Sequence, residues 1–224
     1  DHAHFESIVK HTNSYSIDTG LYQNAGANMV QQLAYGLAHA NEYLNHLDDI
    51  ITYEAKLSLS VTFNVSVSTN YFFEIAKLRA LRLLFSALAK EYSYSFDCQI
   101  IAIPTKRNKT LYDYNVNLLR TTTECMSSIL GGADYIANLP YDSIYHKDNE
   151  FGDRIARNQL LILKNDLSRH YRHSYSLQSQ YLQIPYRHLR PGHHPWVHQP
   201  PLALYFLSLA LSPVQKTAQC ALHA

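Results

Sequence analysis

Residues 115–164, NVNLLRTTTECMSSILGGADYIANLPYDSIYHKDNEFGDRIARNQLLILK, read as helix, tight turn, short strand, loop, helix. A chain that repeats this order builds a parallel sheet with helical crossovers. Val116, Leu119, Thr123, Met126 and Leu130 recur at steps of three and four, the helical period. Gly131-Gly132 then ends the helix, because glycine enters the left-handed region without steric cost. Ala133 to Ala137 is short and mostly apolar, as a buried parallel strand should be. Pro140 breaks it, and a second helix is expected from Phe151 to Lys164.

The same order recurs upstream. Ser16 to Thr19 reads as a strand end, and Gly20 to Ala27 as a loop entering a helix whose apolar face is Met29, Leu33, Leu37, Ala40, Leu44 and Leu47. Leu57 to Val67 alternates, with Leu57, Leu59, Val61, Phe63 and Val65 against Ser58, Ser60, Thr62 and Asn64; that is a strand with two unlike faces. Tyr71 to Lys90 is expected to be a helix burying Phe72, Ile75, Ala76, Ala80, Leu83 and Ala87. Cys98 to Ile103 is a further strand, followed by the basic loop Pro104 to Asp113. Residues 16–165 thus hold four strand-helix repeats, preceded by an irregular lead-in over 1–15. The tail, 166–224, changes character: it holds six of the eight prolines and seven of the thirteen histidines, with Asp166 its only acid. It is expected to be disordered or loosely packed.

Composition excludes several classes. The net charge of +1 gives no argument for nucleic acid or an anionic membrane. Cys98, Cys125 and Cys220 show no ligand spacing, so neither a disulfide framework nor a zinc site is expected, and a reducing cytoplasm fits. No basic-then-apolar signal segment opens the sequence, and its longest apolar run, Leu202 to Leu211, is too short to cross a bilayer. His39 and His46 do not make a metal site, and His188, His193, His194 and His198 lack the fixed partners that ligation needs. Arg79, Arg82, Lys106, Arg107 and Lys109 could meet a phosphate, though solvated surface cations are the plainer reading. No Gly-x-Ser-x-Gly turn, P-loop or dinucleotide fingerprint occurs.

The wording of three blocks carries a resemblance. RTTTECMSSILGGAD with NLPYD and RIARNQLLIL, then QNAGANMVQQLAYGLAHANEYL, and FFEIAKLRALRLLF resemble the barrel domain of the cobalamin-dependent methylmalonyl-CoA mutase family, in particular its small, non-catalytic subunit. The resemblance implies an α/β fold: the last four units of a (β/α)8 TIM-type barrel. It also implies a heterodimeric isomerase that interconverts methylmalonyl-CoA and succinyl-CoA. The mutase large subunit would be the partner, and adenosylcobalamin would be bound by that partner and not by this chain. In such a barrel the hydroxyl set Ser58, Ser60 and Thr62 would face the axial channel that takes the pantetheine arm of coenzyme A; a solvated strand face is the alternative.

Catalytic chains of that family carry a Tyr-His pair before the Gln-x-Ala-Gly turn, where Gly20 and Leu21 stand here. They carry a His and a Gln on the strand where this chain has Ile101 and Ile103, and a coenzyme A-holding Arg at Ser60. Hydrocarbon neither donates a hydrogen bond to a thioester nor moves a proton. The expectation is a structural partner without catalytic residues. A stand-alone half-barrel that binds acyl-CoA or another small molecule is the second reading. The resemblance stops at Lys164-Asn165, so the tail is also expected to be an out-of-frame reading; the neighbouring frames of the parent DNA would decide that.

Overall fold

The computed structural model describes residues 2–94, 97–146, 149–170 and 182–183. In chain order these form α1 (His2–Thr12), β1 (Ser14–Asp18), α2 (Gly20–Asn24), α3 (Met29–Asp48), α4 (Tyr53–Ser58) and β2 (Ser60–Val67). There follow α5 (Tyr71–Glu91), β3 (Gln99–Pro104), α6 (Val116–Gly131), β4 (Tyr135–Ile136), α7 (Glu150–His170) and β5 (Leu182–Gln183). The first four strands pair in parallel in the order β1-β2-β3-β4, and β5 adds antiparallel to β4.

Local chemistry explains the boundaries. Asn28 opens α3 with a capping box: its side chain accepts from Gln31 N at 2.9 Å, and its own N–H donates to Gln31 Oε1 at 3.0 Å. Gly132 closes α6 at φ 86°, and Ala133 N reaches back to Ser128 O at 3.0 Å. Gly36 and Gly131 are needed for close approach. A Cβ on the first would lie 2.7 Å from Thr19 Cγ2, and on the second 2.7 Å from Leu78 Cδ1 and 3.1 Å from Leu78 Cβ.

Five expectations are corrected. Residues 1–15 are not an irregular lead-in: α1 and the start of β1 occupy them, tied to α3 by His46 Nε2 and Glu6 Oε1 at 3.2 Å and by Phe5 against Tyr43 at 5.0 Å. The alternating strand does not begin at Leu57, because Thr52 caps α4 and the helix runs through Ser58. The buried stripe of α5 is Glu74, Lys77, Leu78, Ala80, Leu81, Phe85 and Ala89; of the expected residues Ala80 is in it, while Phe72 and Leu83 are exposed. The buried side of α6 is the polar one, with Asn117, Thr121, Glu124 and Ser128, while Leu119 faces out. The last helix also passes the expected boundary at 165 and ends at His170. The expectations for the tail beyond it, Leu182–Gln183 apart, lie outside the described residues, as do the four histidines there.

One face of the sheet is the core. Ile17, Phe63 and Ile100 stand level across β1, β2 and β3, and Val65, Ala102 and Ile136 stand level across β2, β3 and β4. All six are at most 2% exposed and belong to one cluster with Leu44, Leu78 and Phe85 of the helices. Phe63 meets Phe85 edge to face at 5.3 Å. The opposite face reads differently, row by row: Ser14 and Ser60; Ser16, Thr62 and Gln99; Asp18, Asn64, Ile101 and Tyr135; Ser66 and Ile103. Apart from Ser66 these side chains are exposed or half-buried.

Candidate functional site

The open face and the C-terminal ends of the parallel strands define the candidate site. A parallel sheet covered on one side only leaves the period-two complement of its core residues free to meet a ligand or a second layer. Here that complement is small and hydroxyl-bearing near the strand starts, and carries Ile101 and Ile103 toward the ends. Of the three expected channel residues, the structure brings two together. Ser60 stands beside Ser14, and Thr62 stands between Ser16 and Gln99, on the same face. Ser58 is elsewhere: it is the last residue of α4, where its Oγ accepts from Asn13 Nδ2 at 2.7 Å.

At the strand ends the polar groups are largely spent on one another. Gly20 N–H donates to Asp18 Oδ1 at 2.9 Å, and a Cβ on Gly20 would lie 2.7 Å from Ser66 Oγ. Thr105 Oγ1 donates to Asn24 Oδ1 at 3.1 Å and accepts from Arg107 N at 3.2 Å. Arg107 also reaches Gln23 O at 3.4 Å. Gln23 is 4% exposed, and its Oε1 meets no donor among the described residues.

Two buried ion pairs lie beneath this rim. Lys77 Nζ sits 2.5 Å from Glu74 Oε2 and donates to Ser66 O at 2.7 Å and Gln32 Oε1 at 3.0 Å. Ser68 Oγ donates to Glu74 Oε1 at 2.6 Å. Lys109 Nζ sits 2.5 Å from Glu124 Oε2, and Asn108 Nδ2 donates to Glu124 Oε1 at 2.6 Å. Burial pushes both lysines below the usual range, against the pull of their partner carboxylates. Burial likewise pushes Glu124 up, against the pull of Lys109, with Glu74 adding to the rise. Glu74 and Lys77 are one helical step apart on the stripe that turned inward, the one sign a helical wheel could have offered.

Arg79 and Arg82 also have structural partners. Arg82 donates to Cys98 O, Gly132 O and Asp134 Oδ2, each at 2.8 Å, and Arg79 donates to Leu130 O at 2.9 Å. Lys106 and Arg107 remain exposed on the loop after β3. No group of three metal-ligating side chains occurs among the described residues. Nor is any helix among them long and apolar enough to cross a membrane.

These features define a class first: an α/β layer of consecutive parallel strands, armoured by helices on one side and presenting a polar, hydroxyl-rich face on the other. The model for the family "Methylmalonyl-CoA mutase" matches residues 2–170, and the chain belongs to that family. It is 39% identical over 148 residues to the methylmalonyl-CoA mutase small subunit of Porphyromonas gingivalis, covering 64% of this chain and 24% of that one. It is 34% identical over 169 residues to the methylmalonyl-CoA mutase of Cereibacter sphaeroides, covering 69% of this chain and 22% of that one. It is also 31% identical over 157 residues to the small subunit of Propionibacterium freudenreichii subsp. shermanii, covering 68% and 25%. The chain therefore spans about a quarter of the length of the curated relatives it matches. The match also takes in α1 and the end of α7, beyond both edges of the expected 16–165 unit.

Proposed function

We propose that this chain is part of a methylmalonyl-CoA mutase small subunit: half of a (β/α)8 wall that supports a catalytic large subunit and carries no chemistry itself. The observation that carries the reading is the make-up of the open face. Ser60, Ile101 and Ile103, three positions where the resemblance places a coenzyme A arginine, a histidine and a glutamine, lie on that one face. A site with serine and isoleucine there lacks the donors that a polar transition state needs, and each lost donor costs about 3–4 kcal/mol.

The strand order supports the barrel part. The four parallel strands, each beside the last, suit a singly wound cylinder, whereas a doubly wound sheet reverses its order near the middle; the two-residue antiparallel β5 is no part of that pattern. The hydroxyl rows Ser14–Ser60 and Ser16–Thr62 suit a narrow channel, because small side chains leave axial room that bulky branched residues fill in ordinary barrels. Ser60 and Thr62 are the channel residues of this proposal, and Ser58 supports the entrance of β2 from α4.

Adenosylcobalamin belongs to the partner subunit in this reading. The residues at these strand ends do not fit the cofactor, since their buried cations and carboxylates neutralise one another and the side chain displayed beside Gly20 is Leu21. A cytoplasmic setting completes the proposal; it rests on buried, unpaired Cys98 and Cys125. The test is co-expression with a mutase large subunit, followed by size-exclusion chromatography and acyl-CoA titration of the separate chain. Co-elution with the large subunit and no measurable binding of acyl-CoA alone support the proposal. Tight acyl-CoA binding by the lone chain would move the assignment to a free-standing binding module.

A further inference from the structure

Outside that site, the surface of α3 carries an arrangement with its own chemistry. Tyr22 Oη lies 2.7 Å from His39 Nε2 and 3.3 Å from Nδ1. With the imidazole proton on Nδ1, Nε2 accepts the phenol hydrogen. Tyr22 is half-buried, and His39 is exposed one helical turn after Tyr35 and one before Tyr43. The rings form a continuous file. Tyr35 lies 5.1 Å from Tyr22, Tyr22 lies 5.5 Å from His39, and His39 lies 6.1 Å from Tyr43. Tyr43 lies 5.6 Å from Tyr15, which is 8% exposed in the core. Phe5 packs against both Tyr15 and Tyr43, at 6.1 and 5.0 Å.

We infer that Tyr22 is the preferred one-electron oxidation site of this chain, with His39 as its proton acceptor. Removing an electron from a phenol makes its O–H far more acidic, so an electron leaves readily only where the proton has somewhere to go. A base held within hydrogen-bond distance supplies that place in the ground state. The step balances simply. A one-electron oxidant, such as an oxygen-centred radical or a photogenerated Ru(III) complex, takes one electron from the Tyr22 ring. The phenolic proton passes to His39 Nε2, leaving a neutral phenoxyl radical beside an imidazolium. No bond to carbon forms or breaks. A hole created on Tyr15, Tyr43 or Tyr35 reaches Tyr22 over ring separations of about one side chain, so the file drains toward the one phenol in it that is bonded to an imidazole.

The inference separates from simple exposure because Tyr112 is fully exposed, at 102%. The experiment irradiates the full-length chain with ruthenium(II) tris-bipyridine, persulfate as electron acceptor and a luminol-type trap for phenoxyl radicals. Peptide mass spectrometry then measures trap adducts at each tyrosine. Tyr22 is expected to carry more adduct than Tyr112 by on the order of tenfold, a modest share of what a positioned base contributes. His39→Phe keeps the ring and removes the base; it should bring Tyr22 down to the Tyr112 level, with Tyr112 as the internal standard for a folded chain. His39 is exposed, so the substitution is compatible with folding. Adducts that rank with exposure, Tyr112 first, would overturn the inference. So would a Tyr22 share unchanged in His39→Phe.

Discussion

Cys98, 2% exposed at the foot of β3, shows how burial at single residues becomes a property of the protein. Burial pushes its thiol up to about 12, and pushes Tyr94 up to about 12 and Cys125 and Tyr15 up as well. An acid whose folded pKa lies above its unfolded one holds more protons when folded, so its contribution is whole below the unfolded value and is lost as pH rises toward the folded one. For Cys98 the window opens at about 8.5 in the unfolded chain. Urea melts from pH 7 to 10 should therefore show stability falling above about pH 8.5. Cys98→Ala should make the slope shallower there by up to about 1.4 kcal/mol per pH unit; an unchanged slope would contradict this. Gly131 gives a second residue-scale prediction. A methyl there meets Leu78 Cδ1 at 2.7 Å and the less mobile Cβ at 3.1 Å. Gly131→Ala should destabilise by about 1–3 kcal/mol in denaturant melts, although alanine favours helix, because overpacking outweighs propensity.

At the scale of elements, Arg82 joins three of them: from α5 it reaches the foot of β3 through Cys98 O, and the α6–β4 turn through Gly132 O and Asp134. Asp134 Oδ2 also accepts from Ile100 N at 2.8 Å. Arg82→Met keeps much of the stem and removes the fork. It should cost about 1.5–3 kcal/mol and should raise amide exchange first in β3 and the α6–β4 turn. The pair of Lys109 and Glu124 predicts an asymmetry. Lys109→Met leaves the buried Glu124 carboxylate without its cation, with only the Asn108 amide, and should cost about 3–5 kcal/mol, whereas adding Glu124→Gln should recover part of the loss. Both pairs also explain which elements could be read in advance. The inner residues of β2 were legible because a strand buried on one side must alternate, and Val61, Phe63 and Val65 do. The inner face of α5 was not, because apolar residues surround that helix and its buried stripe includes Glu74 and Lys77, whose inward turn depends on Ser66, Ser68 and Gln32 of other elements. The same holds for α6, where Asn117 bonds Thr110 and Tyr141 backbone groups and Glu124 bonds Lys109 and Asn108. In α1 the signal lies in aromatic contacts 10 and 38 residues away, Phe5 to Tyr15 and Phe5 to Tyr43, which no local period reveals.

For the whole molecule, the imbalance between the two sheet faces dominates. One face is sealed by α3, α5 and α6, and the other displays hydroxyls with Ile101 and Ile103, while β1 is a sheet edge among the described residues. Phe72, Leu119 and Leu83 are 80%, 70% and 60% exposed on the helices. An unpaired edge and apolar surface together drive association. The isolated chain should therefore show, by light scattering, a mass above its 25.7 kDa that rises with concentration. A sharp melt of a monomer, independent of concentration, would contradict that expectation. The proposed role makes a chemical claim: a barrel wall in which hydrocarbon and small hydroxyls replace the groups that handle the thioester. The most direct measurement is succinyl-CoA formation from methylmalonyl-CoA with adenosylcobalamin present, by this chain alone and by a mutase large subunit alone or mixed with it. The account predicts no turnover by the chain alone, and turnover wherever the large subunit is active; succinyl-CoA produced by this polypeptide unaided would contradict it.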